Sequence, residues 1–378
     1  MTPPRSSDII VVGAGVVGCA IAHELARRGA SVEIIDDRAV GMGATQASAG
    51  VLAPFIEARE GNPLLDLAVA SLDLYDAFIA RASADSGVTI PYRRTGTLDV
   101  ALDESALAAL RTTAAVLERR GVPALLLDPA ATRVEEPLVG DAVAGGLLIE
   151  AHGFVAASEL TRALATAARR IGGQLVEQSR VRRVACRGEG DGAEMVVETD
   201  RGSLTGGAVV IAAGSWSSDI VIEGVAARVP VRPVRGQLLH LSWAGTPLRR
   251  VTWSSRCYLV PWDDGTVLAG ATVEEAGFDE RATVAGVRDL LEAACDVVPH
   301  AWNAGFRGAR VGLRPATRDD LPVIGWSTKC ANVMYATGHY RNGVLLAPLT
   351  ARLVADAMLD GRTDAMMQIV KPSRFGEL

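Results

Sequence analysis

The stretch Asp8-Ile9-Ile10-Val11-Val12-Gly13-Ala14-Gly15-Val16-Val17-Gly18 decides the fold of this chain. Its apolar run, Ile9 to Val12, predicts a strand buried on both faces, as in a parallel sheet. A G-x-G-x-x-G turn follows. Gly13 permits the tight turn, Gly15 lets a pyrophosphate approach the backbone, and Gly18 lets the next helix pack closely on the strand. The stretch therefore predicts the first unit of a dinucleotide-binding α/β domain.

The residues after the glycines continue this pattern. An amphipathic run, Cys19 to Arg28, predicts a helix whose N-terminus offers unpaired N–H groups to phosphate. A second apolar strand, Ser31 to Ile35, ends in Asp36. The spacing from the first glycine is close to the ~20 residues expected for an acid that binds ribose hydroxyls. An ordinary strand–turn–helix is the alternative, and the motif alone does not separate NAD from FAD.

Length and composition favour a globular protein with a large core. The chain has 378 residues, of which 49% are hydrophobic and 22% charged, and its formal net charge is −6. Two domains are expected at this length. A net negative charge does not attract nucleic acid or an anionic membrane, so the charge balance indicates neither as a partner. The apolar stretch 9–22 is interrupted by glycines and is too short to cross a bilayer.

The cysteines and the first residues lead to two further expectations. The five cysteines are scattered and form no C-x-x-C, so neither a metal site nor a dithiol pair is indicated. The start of the chain lacks a charged region followed by an apolar region and a cleavage site. We therefore expect a cytoplasmic protein with no membrane span and no bound metal.

Two segments after Asp36 carry weaker predictions. The run from Gly41 to Val51 consists largely of small residues, which let backbone amides approach a ligand closely. A flexible surface loop is the alternative. Farther on, apolar residues at helical spacing predict one helix over residues 64–82.

A late segment, Gly338-His339-Tyr340-Arg341-Asn342-Gly343, lies between a predicted strand, 333–337, and an apolar helix that extends to Leu359. The start of that helix would direct amides and a positive dipole end into the crevice. A reduced flavin, which carries negative charge, would be stabilised there. His339 is either a general base or a residue that positions the turn.

Arg314 is the leading candidate for binding a substrate. It precedes Pro315 in an apolar context, which restricts its backbone to extended conformations. An arginine in such surroundings usually pairs with a carboxylate, from the protein or from a substrate. Tyr258 could supply a hydroxyl beside it, or it could be a core tyrosine.

Together these motifs resemble the glycine oxidase family of FAD-dependent amine oxidases, within the D-amino acid oxidase and sarcosine oxidase group. The resemblance runs nearly end to end. It is carried by VVGAGVVG with Asp36, ATQASAG (44–50), AAGSW (212–216), CYLVP (257–261), GATV (270–273), GLRPATRDDLPVIG (312–325) and GHYRNGVLLAP (338–348).

The resemblance implies an α/β fold with two domains. A doubly wound, Rossmann-like FAD-binding domain of the glutathione-reductase type would comprise residues 1–85, 148–224 and 306–378. A second, mainly antiparallel β-sheet domain that binds the substrate would comprise residues 86–147 and 225–305.

The resemblance also implies a set of site residues. The residues expected to bind FAD are Gly13, Gly15, Val16, Val17, Gly18, Asp36, Asp37, Thr45, Ala49, Gly50, Val51, Val181, Gly214, Gly338, His339, Tyr340, Arg341, Asn342, Gly343, Val344 and Leu345. Arg314 would bind the substrate carboxylate with help from Tyr258, and Arg341 would lie near the entrance or on the amine side.

Two departures from related families refine these expectations. Sarcosine-oxidase-type relatives attach FAD to a cysteine, and the matching segment here, 312–314, has none, so we expect noncovalent FAD. Val273 stands where a glycine oxidase pocket would have methionine, which leaves the preferred amine open.

The activity implied by the resemblance is oxidative deamination of glycine, small amines or amino acids. A hydride would pass to the flavin, and the imine would hydrolyse to glyoxylate and ammonia. Oxygen would reoxidise the flavin to give hydrogen peroxide, and thiamine thiazole synthesis is the expected context. The alternatives are a D-amino acid or sarcosine-like dehydrogenase with another electron acceptor, and a flavin-binding protein without turnover. A homo-oligomer is also expected.

Overall fold

The computed structural model describes residues 6–56, 62–188 and 194–378. The strands in these ranges are β1 Ser6–Val12, β2 Val32–Ile35, β3 Val51–Leu52, β4 Tyr92–Arg93, β5 Thr97–Ala101, β6 Leu125–Leu127, β7 Gly145–Ile149, β8 Gly153–Val155, β9 Gln174–Val176, β10 Val181–Arg187, β11 Glu194–Thr199, β12 Gly202–Ile211, β13 Val221–Ile222, β14 Arg232–Ser242, β15 Val251–Trp253, β16 Tyr258–Pro261, β17 Thr266–Gly270, β18 Gly305–Ala316, β19 Val323–Trp326 and β20 Val333–Thr337.

The α-helices in the same ranges are α1 Val16–Arg27, α2 Pro63–Leu72, α3 Tyr75–Ser86, α4 Glu104–Arg119, α5 Pro129–Glu135, α6 Ala157–Arg170, α7 Val284–Val297, α8 Gly343–Leu359 and α9 Ala365–Val370. The single helix predicted over 64–82 is therefore two helices. Tyr75 begins the second one, and its buried hydroxyl donates to the carbonyl of Val344 at 2.5 Å. This contact ties the second helix to α8.

The first main sheet is organised around β1. Its strand order is β13-β10-β11-β12-β1-β2-β9, and β20 pairs with both β12 and β19. Parallel pairing joins β1 to β2 and β12, and joins β12 to β20. The carboxyl ends of these parallel strands therefore meet at one edge, the usual position of a ligand crevice in α/β sheets.

Burial of β1 on both faces is confirmed. Ile9 and Val11 pack in a cluster with residues of α1, α6 and α8, whereas Ile10 and Val12 pack in another cluster on the opposite side. Alternation along a strand sends successive side chains to opposite faces. An apolar run without polar interruption is the pattern expected of a strand covered on both sides.

The second main sheet has the order β18-β14-β17-β16-β15-β5-β7-β6. Its neighbours pair antiparallel except β15 and β5, which run parallel. A small sheet, β3-β8-β4, is separate from both. The predicted α/β architecture, with one largely parallel sheet and one mainly antiparallel sheet, is confirmed.

Sheet membership leads us to redraw the proposed domain division. The sequence analysis assigned residues 306–378 to the FAD-binding domain, but β18 pairs along the whole of β14 in the antiparallel sheet. It also divided β7 at residue 148, although Gly145–Ile149 pairs as one strand with β5. We propose that the substrate domain includes all of β7 and extends through Ala316.

Candidate active site

A cavity of about 670 Å³ extends from the carboxyl ends of the parallel strands to one face of the antiparallel sheet. The predicted site residues that line it are Gly13, Gly15, Val16, Val17, Asp36, Asp37, Thr45, Ala49, Gly50, Val51, Val181, Gly214, Tyr258, Arg314, His339, Tyr340, Arg341, Asn342, Gly343, Val344 and Leu345. Gly18 and Gly338 are not among the lining residues. Both predicted groups, for cofactor and for substrate, therefore open onto one cavity.

The three glycines of the opening motif have different surroundings. Gly13 has a φ of +116°, and a Cβ there would lie 2.3 Å from the carbonyl oxygen of Ala212. A Cβ at Gly18 would lie 1.9 Å from the carbonyl oxygen of Gly13. At Gly15 the nearest atom would be Thr45 Oγ1, at 3.6 Å. Two glycines thus permit close packing, and the third leaves a cradle open to a ligand.

The start of α1 completes this cradle. The helix begins at Val16, whose N–H donates to Thr45 Oγ1 at 3.2 Å. Gly15 is the N-cap and supplies no side chain, so backbone N–H groups at this end remain available. A helix N-terminus with an open glycine beside it fits the pyrophosphate of a dinucleotide.

Asp36 lies at the end of β2, and its carboxylate accepts two backbone hydrogen bonds. Ala14 N–H donates to Oδ2 at 2.6 Å, and Arg38 N–H donates to Oδ1 at 2.8 Å. Burial raises the pKa of Asp36, and these two bonds oppose that effect. Asp37 is exposed and lies 3.8 Å from Arg180. Asp36 is therefore the acid held next to the glycine turn.

The late turn brings the start of α8 to the same cavity. Tyr340 has a φ of +48°, and its N–H donates to the carbonyl of Pro315 at 2.9 Å. The helix begins at Gly343, and its N-cap, Asn342, makes no side-chain capping bond. The first amides of a helix lack partners within the helix, and this end carries partial positive charge. That charge faces the cavity because Asn342 to Leu345 line it.

His339 is a buried, neutral residue of this turn. Its Nε2 lies 3.0 Å from Thr350 Oγ1 on α8, and only 3% of the residue is exposed. Burial lowers the pKa of His339 to about 3. Of the two interpretations, the geometry favours a residue that positions the turn over a general base.

Arg314 lies on β18 with its guanidinium over Gly236 of β14. A Cβ at Gly236 would lie 2.4 Å from Arg314 Cζ, so the glycine makes room for the side chain. Arg314 Nη1 donates to the carbonyl of Thr272 at 2.8 Å. Burial lowers the pKa of Arg314, which is the mark of a cation in poorly solvated surroundings.

No residue in the described ranges forms an ion pair with Arg314. Glu274 contributes to its electrostatic environment, but that carboxylate is held by Arg235 at 2.6 Å and by Thr272 and Gln237. A buried arginine normally has a carboxylate partner. Of the two possible partners of Arg314, a protein carboxylate or a substrate carboxylate, the geometry favours the substrate, because the cavity in front of Arg314 has room for a ligand.

Tyr258 lies on β16 beside Arg314 in the cavity wall. A Cβ at Gly270 would lie 2.7 Å from the Tyr258 hydroxyl, so this glycine also makes room for a site side chain. Burial raises the pKa of Tyr258, and the positive charges of Arg314 and Arg341 oppose this. The hydroxyl therefore remains a neutral donor. Arg341 is exposed, with its guanidinium 5.3 Å from the Tyr340 ring centre.

Asp99, Gly236 and Trp253 are among the cavity-lining residues that the sequence analysis did not identify. Gly236 lies in the interior of β14, and a glycine inside a strand can indicate a close approach by another group. Asp99 is a lone acid between Leu98 and Val100. The glycine and the lone acid are both visible in the sequence. Neither shows which side of the sheet its residue faces, because that depends on how the strands pair.

The geometry fits an FAD-type dinucleotide. The cradle at Gly15 suits a pyrophosphate, Asp36 lies where ribose hydroxyls would come, and the α8 N-terminus suits a group that gains negative charge. A Rossmann-like sheet combined with an antiparallel substrate sheet defines the class as a flavin-dependent oxidoreductase. The chain belongs to the DAO family of FAD dependent oxidoreductases, which matches residues 8–357.

Relatives agree with this assignment along nearly the whole chain. The chain is 34% identical to a glycine oxidase of Geobacillus kaustophilus, with 92% of each protein covered. The crystal structure of glycine oxidase from that organism superimposes with a TM-score of 0.89 at 32% identity, with 96% of each chain covered. The predicted resemblance to the glycine oxidase family is confirmed.

A bifunctional protein ThiO/ThiG of Synechocystis sp. is 33% identical over 98% of this chain, which covers 54% of that relative. The chain thus spans about half the length of these bifunctional relatives. None of the helices in the described ranges has the length and hydropathy needed to cross a membrane. The same ranges contain no cluster of three or more His, Cys, Asp or Glu side chains arranged for a metal.

Proposed function

We propose that this protein oxidises glycine, or an amine of similar size that carries a carboxylate, to the corresponding imine. The observation that carries the proposal is the Arg314 guanidinium, which faces the cavity without a carboxylate partner among the described residues. The similarity to glycine oxidases along nearly the full chain supports it. Water would hydrolyse the glycine imine to glyoxylate and ammonia.

The residues of the chain would supply binding and orientation. Arg314 would hold the substrate carboxylate through a bidentate pair, which fixes orientation as well as energy. The Tyr258 hydroxyl would donate to the same carboxylate. When bound, FAD would supply the two-electron acceptor for the substrate and the route by which oxygen is reduced to hydrogen peroxide.

This assignment requires no strong base from the protein. Hydride transfer from a neutral amine leaves no proton to be removed from carbon, and the buried His339 is neutral. The N-terminal end of α8 would stabilise negative charge on the reduced cofactor. Catalysis would thus rest on positioning and electrostatics.

We propose noncovalent FAD. The segment around Arg314 has no cysteine, and the cavity-lining Cys257 is the remaining candidate for a covalent link. Burial raises the pKa of the Cys257 thiol to about 11, so it is protonated and unreactive at neutral pH. Acid precipitation should therefore release all of the flavin into the supernatant. Flavin that stays with the pellet would contradict this proposal.

The deciding experiment is anaerobic addition of glycine to the purified yellow protein. Bleaching of the flavin absorbance is expected, and admission of air should restore it with one hydrogen peroxide for each glyoxylate. Bleaching without peroxide would favour the dehydrogenase alternative. Absence of bleaching with glycine and with other small amines would favour a flavin-binding protein without turnover.

We also propose a role in thiamine thiazole synthesis, since the bifunctional ThiO/ThiG relatives match almost the whole of this chain. Loss of the gene should then cause thiamine-dependent growth that added thiazole relieves. A cytoplasmic location and a homo-oligomeric state stay sequence-based predictions. Cell fractionation and light scattering would test them.

A further inference from the structure

One carboxyl group in the cavity has no role in the function proposed above. Asp99 lies on β5 and lines the cavity, and only part of the residue is exposed. Within the described ranges its carboxyl oxygens make no hydrogen bond and no ion pair. Buried acids are normally paired, because an isolated carboxylate in apolar surroundings is costly. An acid of this kind calls for a ligand group.

Strand register places Asp99 in line with Tyr258. Gly270 pairs with Tyr258, Tyr258 with Trp253, and Trp253 with Asp99. Directly paired residues project from the same face of a sheet. Neighbouring strands are about 4.8 Å apart, so Asp99 and Tyr258 lie roughly 10 Å from each other. The Tyr258 hydroxyl reaches one strand farther, over Gly270, and the Arg314 guanidinium lies over β14. The cavity therefore has a carboxylate-binding end and, three to four strands away, an acidic end.

The wall between the two ends suits an alkyl chain that ends in a cation. The Trp253 ring packs against Tyr258 with ring centres 4.8 Å apart, and it lies between Tyr258 and Asp99 in the row. Ala106 and Leu110 of α4 line the same cavity and are apolar. An ammonium group near an aromatic face gains a cation–π interaction.

Apart from Asp99, the charged side chains around the substrate part of the cavity are positive. Among the described lining residues from the antiparallel sheet and the late turn, the charged ones are Asp99, Arg256, Arg314 and Arg341. Arg256 is engaged with Asp296. Burial among apolar groups raises the pKa of Asp99 to about 7, and no neighbouring charge contributes. An incoming cation would meet no protein competitor for this carboxyl group.

We propose that Asp99 discriminates among substrates larger than glycine, and that it favours amino acids whose side chain ends in an ammonium group. This inference rests on the proposed function, since Arg314 must hold the substrate carboxylate. The carboxylate pairs with Arg314, the alkyl chain lies along Trp253 beneath α4, and the terminal ammonium pairs with Asp99.

The first test uses two ligands that lack an amine next to the carboxylate. Dissociation constants of 6-aminohexanoate and hexanoate are measured by perturbation of the flavin spectrum, without turnover. A charge-assisted bond predicts that 6-aminohexanoate binds about tenfold more tightly or better. If this part of the cavity is apolar and offers no counter-ion, hexanoate should bind more tightly than 6-aminohexanoate, because it is the more apolar ligand. Equal or tighter binding of hexanoate to the wild type overturns the proposal.

Variants locate the effect. Asp99→Asn should abolish the preference for 6-aminohexanoate, whereas Glu118→Gln, a charge removal on the exposed face of α4, should keep it. A preference that survives in Asp99→Asn overturns the assignment to Asp99. Should Asp99→Asn fail to fold, the order of the two ligands on the wild type still decides.

Turnover gives an independent measurement. Lysine should exceed norleucine in kcat/KM by about tenfold for the reactive enantiomer, and this ratio should fall to about one in Asp99→Asn. Glycine turnover by Glu118→Gln should match the wild type, because Glu118 does not line the cavity. Failure of glycine to reduce the flavin would sink the proposed function instead, while the ligand affinities would still report on Asp99. Turnover of glycine with no advantage for lysine would sink this inference alone.

Discussion

The two ends of the cavity are built in different ways. At the cofactor end, Gly13, Gly15 and Asp36 belong to one contiguous β1–α1–β2 unit, and the cradle results from local backbone geometry. At the proposed substrate end, Arg314, Tyr258 and Asp99 come from three strands that are distant in the chain. Their proximity depends on strand order and register. A local pattern therefore predicts the first end, and only long-range pairing creates the second.

The largest effect is expected at Gly18. A Cβ there would lie 1.9 Å from the Gly13 carbonyl oxygen, which is backbone and cannot yield without moving the turn. Gly18→Ala should give little folded protein and no bound FAD. Gly15→Ala is the matched control, since Gly15 has a φ of −73° and its nearest atom would lie 3.6 Å away. That variant should fold and bind FAD less tightly. Equal soluble yields and unfolding temperatures for the two variants would contradict the division of roles.

The next largest effect is expected at Arg314. Removing one partner of a buried charged pair costs roughly 3–5 kcal/mol, so Arg314→Ala should lose about two to four decades in kcat/KM for glycine. Arg314→Lys should recover little of this, because lysine lacks the bidentate fork. A primary amine without a carboxylate should lose far less. Steady-state kinetics on both substrates measure the contrast, and equal losses would make Arg314 structural.

A smaller effect is expected at Asp36. The loss of a charged hydrogen bond costs about 1.5–3 kcal/mol, so Asp36→Ala should weaken FAD binding by roughly 10- to 100-fold. The kcat of the FAD-saturated variant should change little, because a residue on the ribose does not touch the reacting atoms. Titration with FAD measures the affinity. Asp37→Ala is the matched control, and a stronger effect there would transfer the ribose role to Asp37.

The smallest effect concerns stability at the substrate end. The folded protein raises the pKa of Asp99 to about 7, whereas an unfolded chain has about 3.9. Between these values the folded state binds more protons, so this residue lowers the free energy of unfolding as pH rises from about 4 to about 7. Asp99→Asn removes the pH-dependent decrease in the free energy of unfolding that this carboxyl group causes. Its stability advantage over the wild type should thus be larger at pH 8 than at pH 4.5, by urea unfolding of both proteins. A constant difference would show that Asp99 is not desolvated.

Much of this protein could be predicted from local patterns. The apolar run before Gly13, the glycine spacing and Asp36 predicted a parallel strand, a close helix and an acid beside the turn. Each of these features depends on residues of the single β1–α1–β2 unit, where local backbone sterics fix the turn. Arg314 was also identified, because an arginine that precedes a proline in apolar surroundings is unusual. Tyr258 was identified as a possible hydroxyl donor beside it.

Other features needed the tertiary structure. The helix predicted over 64–82 is divided before Tyr75, whose hydroxyl bonds to Val344 far along the chain. The assignment of β18 to the antiparallel sheet follows from its pairing with β14, which no local pattern of residues 305–316 reveals.

The sequence by itself thus determined the nucleotide-binding unit and, through the family resemblance, the class of cofactor, and it identified Arg314 as the candidate cation for a substrate carboxylate. The tertiary structure decided that Gly236 and Gly270 make room for Arg314 and Tyr258, and that Asp99 lies in the same row as Tyr258. The physical reason is range. Turn geometry and helix starts depend on adjacent residues, whereas a cavity wall depends on which strands pair and in what register, and a shift of one residue would turn Asp99 to the opposite face.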